Sequence, residues 1–379
     1  MGINNKKIYL DYNATTPVDP QVLSAMLPYF TENFGNASSA SHAYGWDAEE
    51  AVEIAREQVS ALIGAKTKEI IFTSGATEAI NILLHGISLK KCHIITCQTE
   101  HNAVLRTCNA MEETDTTISR LSVNAEGAIN LAELEAAIRP DTELICIMVV
   151  NNETGVIHPI KEISEIAKKH DLPLMVDATQ ALGKVAFNAD ESGVDFAAFS
   201  SHKIYGPKGV GGLYIRKSMT KKLHPFLTGG AQERGLRPGT LNVPGIVGMG
   251  KACELALQDL NDDYSKMTLL QERLEKGLFS IPGCQINGSQ TKRSPYVTNA
   301  AFEGILGEKL IRKLKHIAIS QGSACTSNTV EPSHVLSAMQ LPEALALSAV
   351  RISMGKPTST EDIDIAIQDI TEAVKALRK

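Results

Sequence analysis

The stretches Leu174-Met175-Val176-Asp177 and Ala198-Phe199-Ser200-Ser201-His202-Lys203 decide the fold, because each is a short apolar run that ends in polar side chains. Short apolar runs of this kind predict buried β-strands. The carboxyl ends of parallel strands lie together at one edge of an open sheet, where such sheets bind ligands. The sequence therefore predicts that the Asp177 carboxylate and the Lys203 amine are neighbours at that edge.

Apolar runs alternate with helical patterns from about residue 68 to residue 217, which is typical of βαβ units. Helices are predicted over residues 77–89, 102–113, 131–138 and 160–170. This alternation predicts the α/β class, with a mostly parallel seven-stranded sheet flanked by helices. The predicted strands are Glu69–Thr73, His93–Cys97, Thr117–Val123, Leu144–Val150, Leu174–Asp177, Phe196–Ser200 and Gly212–Arg216.

Helical patterns also flank this predicted sheet. Before it, apolar residues recur at helical spacing over residues 48–63, and after it a long helix runs from Gly245 to about Phe279. Beyond that helix, a smaller α+β domain is predicted, and its last helix begins with a capping box between Thr358 and Glu361. We assign residues 15–250 to the large domain and residues 1–14 with 251–379 to the small one. The smaller domain's other predicted elements are strands 296–302, 318–321 and 350–353 and helix 307–316.

Composition and charge exclude several classes of protein. The 379 residues are 43% apolar and 21% charged, as in ordinary globular proteins. The chain has 37 basic and 43 acidic residues. Its net charge of −6 therefore gives no excess of positive charge that would attract nucleic acid or an anionic membrane. Seven cysteines, an odd number, suit reduced thiols, and the spacing of Cys92, Cys97 and Cys108 matches no common zinc site. With no signal-peptide pattern or 18-residue apolar run, we expect a cytoplasmic, metal-free protein.

A lysine and a carboxylate at neighbouring strand ends suit one kind of cofactor. The Lys203 amine can form a Schiff base and Asp177 can hold a protonated pyridine nitrogen, which a pyridoxal phosphate site requires. In the stretch 72–78, Phe-Thr-Ser-Gly-Ala-Thr-Glu, a strand turns into a helix, so the amides of Ala76 and Thr77 can bind a phosphate. The alternative interpretation is an aspartate that caps a helix and a solvated lysine.

Three further motifs carry candidate chemistry. His101 follows a strand and either lies over a flat ring or caps a helix. The stretch 151–155, Asn-Asn-Glu-Thr-Gly, either contacts a substrate through its amides or forms an ordinary turn. Residues 320–327 form a small, polar, flexible stretch in which Cys325 is either a nucleophilic thiol or a spectator.

Over nearly its whole length, the chain resembles the cysteine desulfurases of the NifS/IscS type, class V aminotransferases of pyridoxal phosphate fold type I. The last of the matching segments is similar to the group I form of the family, and Ala37 stands where the family has a proline. The segments that carry the resemblance are Tyr9–Pro17, Phe34–Ser39, Thr73–Glu78, Val150–Gly155, Asp177–Gln180, Ser200–Lys203 and Gly322–Ser327.

The resemblance implies conversion of L-cysteine to L-alanine with pyridoxal 5'-phosphate. It implies that Lys203 carries the cofactor and moves the Cα proton, that His101 stacks on the ring, and that Cys325 takes the sulfur as a persulfide. Asp177 would pair with the pyridine nitrogen and Gln180 with the ring hydroxyl. Substrate contacts are implied for Asn36, Asn152 and Arg351, and the further cofactor contacts for Ala76, Thr77, Asn152, Ser200, His202 and Thr240.

The resemblance also implies partners. Thr240 matches a residue that the family donates to the phosphate of the neighbouring subunit, which implies a homodimer with shared sites. Because the chain stops at Lys379, soon after the last helix, we expect it to lack the tail with which housekeeping members meet an iron–sulfur scaffold protein. The sulfur acceptor is therefore left open between such a scaffold, a tRNA-thiolating enzyme and a DNA phosphorothioation system. Two other functions stay open: a selenocysteine lyase, and a sulfur-relay partner active mainly in a complex.

Overall fold

The structure is a computed structural model that describes residues 6–87, 92–290, 292–322 and 331–379. Short 3₁₀ turns at Thr67–Glu69, Ser201–Lys203, Lys217–Lys222 and Gln232–Gly235 join some of its elements. The strands of these ranges are β1 (Ile8–Tyr9), β2 (Ile70–Thr73), β3 (His93–Cys97), β4 (Thr117–Leu121), β5 (Thr142–Cys146), β6 (Leu174–Asp177), β7 (Phe196–Ser200), β8 (Gly211–Ile215), β9 (Cys284–Asn287), β10 (Val297–Phe302), β11 (Ile317–Ala318) and β12 (Val350–Ser353).

The helices complete this framework. None of those in the described ranges is long and apolar enough to cross a membrane. They are α1 (Pro20–Met26), α2 (Pro28–Thr31), α3 (Ala43–Ile63), α4 (Ala76–Ile87), α5 (Asn102–Glu112), α6 (Leu131–Ala136), α7 (Ile160–Lys169), α8 (Val243–Phe279), α9 (Gly307–Lys313), α10 (His334–Ala338), α11 (Glu343–Ser348) and α12 (Thr360–Leu377).

Seven strands of the described chain form the central sheet, in the order β2-β8-β7-β6-β5-β3-β4. Only β8 runs against its neighbours β2 and β7, and the other pairings are parallel. The predicted α/β class and mostly parallel seven-stranded sheet are confirmed. The bounds of β5 differ from the prediction. The strand begins at Thr142 and ends at Cys146, although the apolar run continues to Val150.

A second, antiparallel sheet has the order β12-β10-β9, and β1 pairs with β11 beside it. The N-terminal segment continues from β1 into the bridge between Asp11 and Ser353, which brings it onto β12. The predicted capping box at Thr358 is wrong by one residue. Ser359 caps α12 and exchanges hydrogen bonds with Asp362, while the Thr358 hydroxyl accepts from the Gly355 amide at 3.1 Å.

The helix α8 has 37 residues and belongs to two hydrophobic cores. Its start is specified locally, because the Asn242 side chain accepts from the Gly245 amide and Pro244 lies in the first turn. Residues up to Ala256 pack in the core beneath the central sheet, and residues from Met267 pack in a second core against the antiparallel sheet. The domain boundary at residue 250 stays a prediction.

Two neighbouring strands of the central sheet, β6 and β7, end at Asp177 and Ser200, and Lys203 follows in the next turn. The turn between β2 and α4 lies against β8 at Gly211, where a Cβ atom would lie 2.5 Å from the Cα of Gly75. A glycine is therefore needed at position 211 for this turn to reach the same edge of the sheet.

Candidate active site

A cavity of about 750 Å³ lies at the carboxyl edge of the central sheet. It is also lined by the N-terminal segment at Asp11 and Asn13, by Arg351 of β12 and by Ser320 beside it. The structure thus brings together residues that are up to 340 positions apart. The predicted site residues that line it are Ala76, Thr77, His101, Asn152, Asp177, Gln180, Ser200, His202, Lys203 and Arg351.

Three predicted site residues are not among those lining this cavity. Asn36 lies in an exposed turn, where its side-chain oxygen accepts from the Ser38 amide at 2.9 Å. Thr240 is exposed and follows the left-handed Gly239. Cys325 lies outside the described residues.

Lys203 is held by two carbonyl oxygens of the N-terminal segment. Its Nζ donates to the carbonyl of Asn13 at 2.6 Å and to that of Ala14 at 2.7 Å. Burial, reinforced by the positive charge of Arg351, lowers the pKa of Lys203 from 10.5 to about 8. The negative charge of Asp177 opposes this shift, but it does not cancel it. A useful fraction of Lys203 is therefore a neutral, nucleophilic amine near neutral pH.

Asp177, which ends β6, and His101, which caps α5, both lie at this edge of the central sheet. Asp177 is 7% exposed, and one of its oxygens accepts from the Thr179 amide at 2.9 Å. The Nδ1 of His101 accepts from the Ala103 amide at 3.1 Å, which caps α5. Partial loss of hydration at the cavity wall lowers the pKa of His101, so the ring is neutral at pH 7, with its proton on Nε2.

The start of α4 offers an anion site. The Ala76 amide donates to the Ser200 hydroxyl oxygen at 2.8 Å, and Thr77 follows it in the first helical turn. His202 Nδ1 lies 3.1 Å from the Thr15 hydroxyl, and burial, with the Lys203 charge, lowers its pKa to about 4. Hydroxyl groups, a neutral imidazole and backbone N–H groups at a helix start can all donate to a phosphate.

The Arg351 guanidinium has donors left for an acid group. Nη1 donates to the carbonyls of Asn152 at 3.2 Å and Gly322 at 3.3 Å, while Nη2 donates to Asp11 at 2.8 Å. Nε is buried and has no partner among the described residues. Nε and the second Nη2 hydrogen lie on one edge of the planar guanidinium, where a carboxylate can accept from both.

The donor set fits pyridoxal phosphate. The phosphate matches the start of α4, the cationic ring nitrogen matches the Asp177 carboxylate, and the aldehyde matches the Lys203 amine. The Thr179 hydroxyl, buried beside Asp177 without a partner in the described part of the chain, is a further polar group available at the cavity wall. No cluster of metal-binding side chains occurs within the described ranges.

Sequence reasoning missed several residues at this cavity. Asp11 and Asn13 lie in a matching segment, but they received no role, and Lys184 and His334 were not singled out. His334 lines the cavity, and its Nε2 donates to the Glu100 carbonyl at 3.0 Å. The available signal for Asp11 and Asn13 was that polar residues directly follow an apolar pair at the chain start.

Comparisons with known proteins agree with this geometry. The model of the family "Aminotransferase class-V" matches residues 8–365. The protein "Cysteine desulfurase IscS" of Anaeromyxobacter dehalogenans is 49% identical over 377 residues, which cover 98% of this chain and 93% of that protein. A solved NifS-like protein is 38% identical and superimposes with a TM-score of 0.92 over 98% of this chain and 100% of its own. The solved SspA in complex with cysteine is 37% identical, with a TM-score of 0.83 over 92% and 98% of the two chains.

The chain therefore belongs to the class-V aminotransferase family, whose fold it shares. Within that family it is one of the pyridoxal-phosphate-dependent cysteine desulfurases of the IscS and NifS type. The resemblance, the cofactor and the class of activity that the sequence predicted are confirmed.

Proposed function

We propose that this chain converts L-cysteine to L-alanine and passes the sulfur, held as a persulfide on Cys325, to an acceptor protein. The observation that carries the proposal is the placement of Lys203, Asp177 and Arg351 around one cavity. An amine for the cofactor, a counter-ion for its ring and a guanidinium for an amino acid are the three groups that the reaction requires.

Binding of the cofactor uses residues of the sheet edge. The phosphate would be held by Ala76, Thr77, Ser200 and His202, and the ring nitrogen by Asp177. When bound, pyridoxal phosphate withdraws electrons from the Cα atom of an amino acid, which weakens the bond to its Cα proton. The neutral fraction of Lys203 accepts that proton.

Binding of the substrate uses Arg351. Nε, which has no partner among the described residues, and the Nη2 hydrogen not donated to Asp11 would hold the carboxylate, while the hydrogen bond to Asp11 fixes the orientation of the guanidinium. Asn152, whose carbonyl accepts from Arg351 at 3.2 Å, lines the same part of the cavity. That SspA, a relative with the same fold, binds cysteine supports cysteine as the substrate here.

Sulfur transfer requires a reactive thiol, and the other cysteines do not fit that role. None of the described cysteines lines the cavity, and five of the six are buried. Burial raises the pKa of Cys97 to about 11 and that of Cys108 to about 12, so both stay protonated. These observations support Cys325 as the nucleophile. As its sulfur bonds to the substrate sulfur, the substrate Cβ–S bond breaks, and Cβ takes a proton to give alanine.

A homodimer with shared sites is part of the proposal. The α1–α3 segment carries five large apolar side chains that are each more than half exposed, which is typical of a protein interface. Thr240 is exposed, as a residue that reaches a second subunit must be. Sedimentation of the purified protein should give twice the chain mass. The five side chains are Leu27, Phe30, Phe34, Tyr44 and Trp46.

Anaerobic turnover of L-cysteine with a reductant tests the reaction. The native protein should release alanine and sulfide in equal amounts, and Cys325→Ala should release neither. Lys203→Ala should also lose the visible absorbance of the bound cofactor. Turnover of selenocysteine but not cysteine would favour a selenocysteine lyase. Negligible turnover that rises strongly with an added acceptor protein would favour a sulfur-relay partner.

A further inference from the structure

Lys184 is a buried lysine that the proposed reaction does not use. Its side chain is 5% exposed, it lies in the turn after β6, and none of the ion pairs among the described residues includes it. Burying a lysine without a carboxylate partner is costly, because the ammonium loses its hydration. A lysine buried at such a cost next to a reactive site calls for a functional reason.

The contacts of Lys184 lead directly to the cofactor site. Its Nζ donates to the Gln180 side-chain oxygen at 2.8 Å and to the Asn13 side-chain oxygen at 3.2 Å. The Tyr296 ring lies 5.9 Å from the same Nζ. Both hydrogen-bond partners are neutral groups that line the large cavity. Lys184 therefore acts on the site through side chains whose orientation it controls.

The first of these is the amide of Gln180. Charged or neutral, the Lys184 amine has at least two N–H bonds, one for Asn13 and one for Gln180, so the Gln180 oxygen faces it and the amide nitrogen faces the other way. That nitrogen donates one hydrogen to the Asn13 carbonyl at 3.0 Å. A flipped amide would set its hydrogens against the Lys184 ammonium and its oxygen against the Asn13 carbonyl. Lys184 thus leaves the second amide hydrogen of Gln180 free to donate into the cavity.

The second is Asn13, which connects the remaining groups of the site. Its carbonyl accepts from Lys203 at 2.6 Å as well as from Gln180, and its side-chain amide donates to the Asn152 carbonyl at 3.1 Å. Lys184 donates to the side-chain oxygen of Asn13. The buried amine of Lys184 therefore fixes both the Asn13 carbonyl that accepts from Lys203 and the orientation of the Gln180 amide donor.

We propose that Lys184 is a positioning residue of the reaction, which directs the Gln180 amide donor toward the cofactor ring and fixes the Asn13 carbonyl that receives Lys203. This inference rests on the proposed function, because it assigns the Gln180 donor to the bound cofactor. Lys184 is not among the residues that line the cavity, so it acts through its hydrogen bonds to Gln180 and Asn13 and, as a cation, through space on Lys203.

A double-mutant cycle on the cofactor-loaded protein tests this proposal. Lys184→Met keeps an apolar stem of similar shape but removes the amino group, and Gln180→Ala removes one side chain through which it acts. The pH midpoint of the visible cofactor band should rise by about one unit in Lys184→Met, because a positive charge and a donor to the ring oxygen are both lost. Cysteine turnover should fall about ten-fold, the effect of one lost charge-assisted hydrogen bond.

In the Gln180→Ala background, Lys184→Met should shift the midpoint by about half a unit or less, because the contribution through Gln180 is already lost and only those of the charge and of Asn13 remain. Lys251→Met, which removes a half-buried lysine that pairs with Glu254, should leave the midpoint unchanged. The melting temperature reports on folding separately, and we expect it to change by less than about 3 °C in Lys184→Met.

The proposal is overturned if Lys184→Met shifts the midpoint equally in both backgrounds, or lowers the melting temperature with an unchanged midpoint. The second result would assign Lys184 a merely structural role. Failure of the proposed function gives a different result, since the native protein would then bind the cofactor without turning over cysteine. The spectral cycle would still decide the role of Lys184 in that protein.

Discussion

Lys203 should capture pyridoxal phosphate much faster at neutral pH than an ordinary lysine does. Burial and the Arg351 charge lower its pKa from 10.5 to about 8. At pH 7 the neutral fraction of the amine is then roughly 9%, against roughly 0.03% for an unperturbed lysine, which is an increase of about 300-fold. Only the neutral amine attacks the aldehyde, so the rate of capture should rise by the same factor.

The assay mixes cofactor-free protein with pyridoxal phosphate in a stopped-flow instrument and follows the visible band from pH 6 to pH 10. Each rate is divided by that of Nα-acetyl-lysine in the same buffer, which removes the ionisation of the cofactor itself. The midpoint should lie near pH 8. Arg351→Gln should move it upward, because a neighbouring cation that disfavours the charged amine is lost, and Asp177→Asn should move it downward.

A matched control is Arg312→Gln, which removes an arginine whose side chain is 77% exposed and which pairs with Glu308 on the surface. It should leave the midpoint in place. A midpoint above about pH 9.5, close to that of a free lysine, would refute the argument from burial. A downward shift in Arg351→Gln would refute the assigned role of its charge.

Three further outcomes are expected. Cys325→Ser should form no persulfide and no alanine while keeping the cofactor band, and mass spectrometry of alkylated peptides would detect a persulfide that survives at another cysteine. Arg56→Ala should lower the free energy of unfolding by about 3–5 kcal/mol in urea titrations, because it leaves the Glu233 carboxylate, 2% exposed, without its two-pronged partner; the exposed Arg312→Ala should lose less than about 1 kcal/mol. Burial lowers the pKa of Lys184 from 10.5 to about 7, so the unfolded chain binds more protons between these values. The unfolding free energy of cofactor-free protein should therefore rise from pH 7 to pH 9, and Lys184→Met should remove part of that rise.

The sheet and one wall of the site were predictable from local sequence. Asp177, Ser200 and Lys203 each follow an apolar run, and the rule that parallel strands end at one edge is sufficient to place them together. The β2–α4 turn was predictable for the same reason, since its small residues separate a strand from a helix. For these residues, local pattern and tertiary position agree.

The other wall depends on pairings between distant parts of the chain. Asp11 reaches Arg351 because β1 lies beside β11 and because Asp11 bridges to Ser353. No local pattern specifies which strand a two-residue strand such as β1 will join. Asn13 and Lys184 were missed for that reason, and a lysine in a turn is ordinarily solvated.

Errors in local detail have identifiable causes. Thr358 was predicted to cap α12 because a threonine three residues before an acid fits the capping pattern. Ser359 fits the same pattern with Asp362, and the structure selects it, since the Thr358 hydroxyl instead accepts from Gly355. The two overlapping motifs fit the capping pattern equally well, and the local hydrogen bond from Gly355 to Thr358 decides between them.

The helix shared by the two cores has a consequence for the cooperativity of the protein. At 1.5 Å per residue, α8 is a rod of about 55 Å that is continuous through the segment between Ala256 and Met267. Rotating one core against the other at that segment would break consecutive backbone hydrogen bonds. If either end of α8 unfolds, the core against which that end packs loses its contacts, and the helix frays toward its other end. The two cores should therefore be lost in a single transition, and a destabilising substitution in either should weaken the retention of cofactor by the whole molecule.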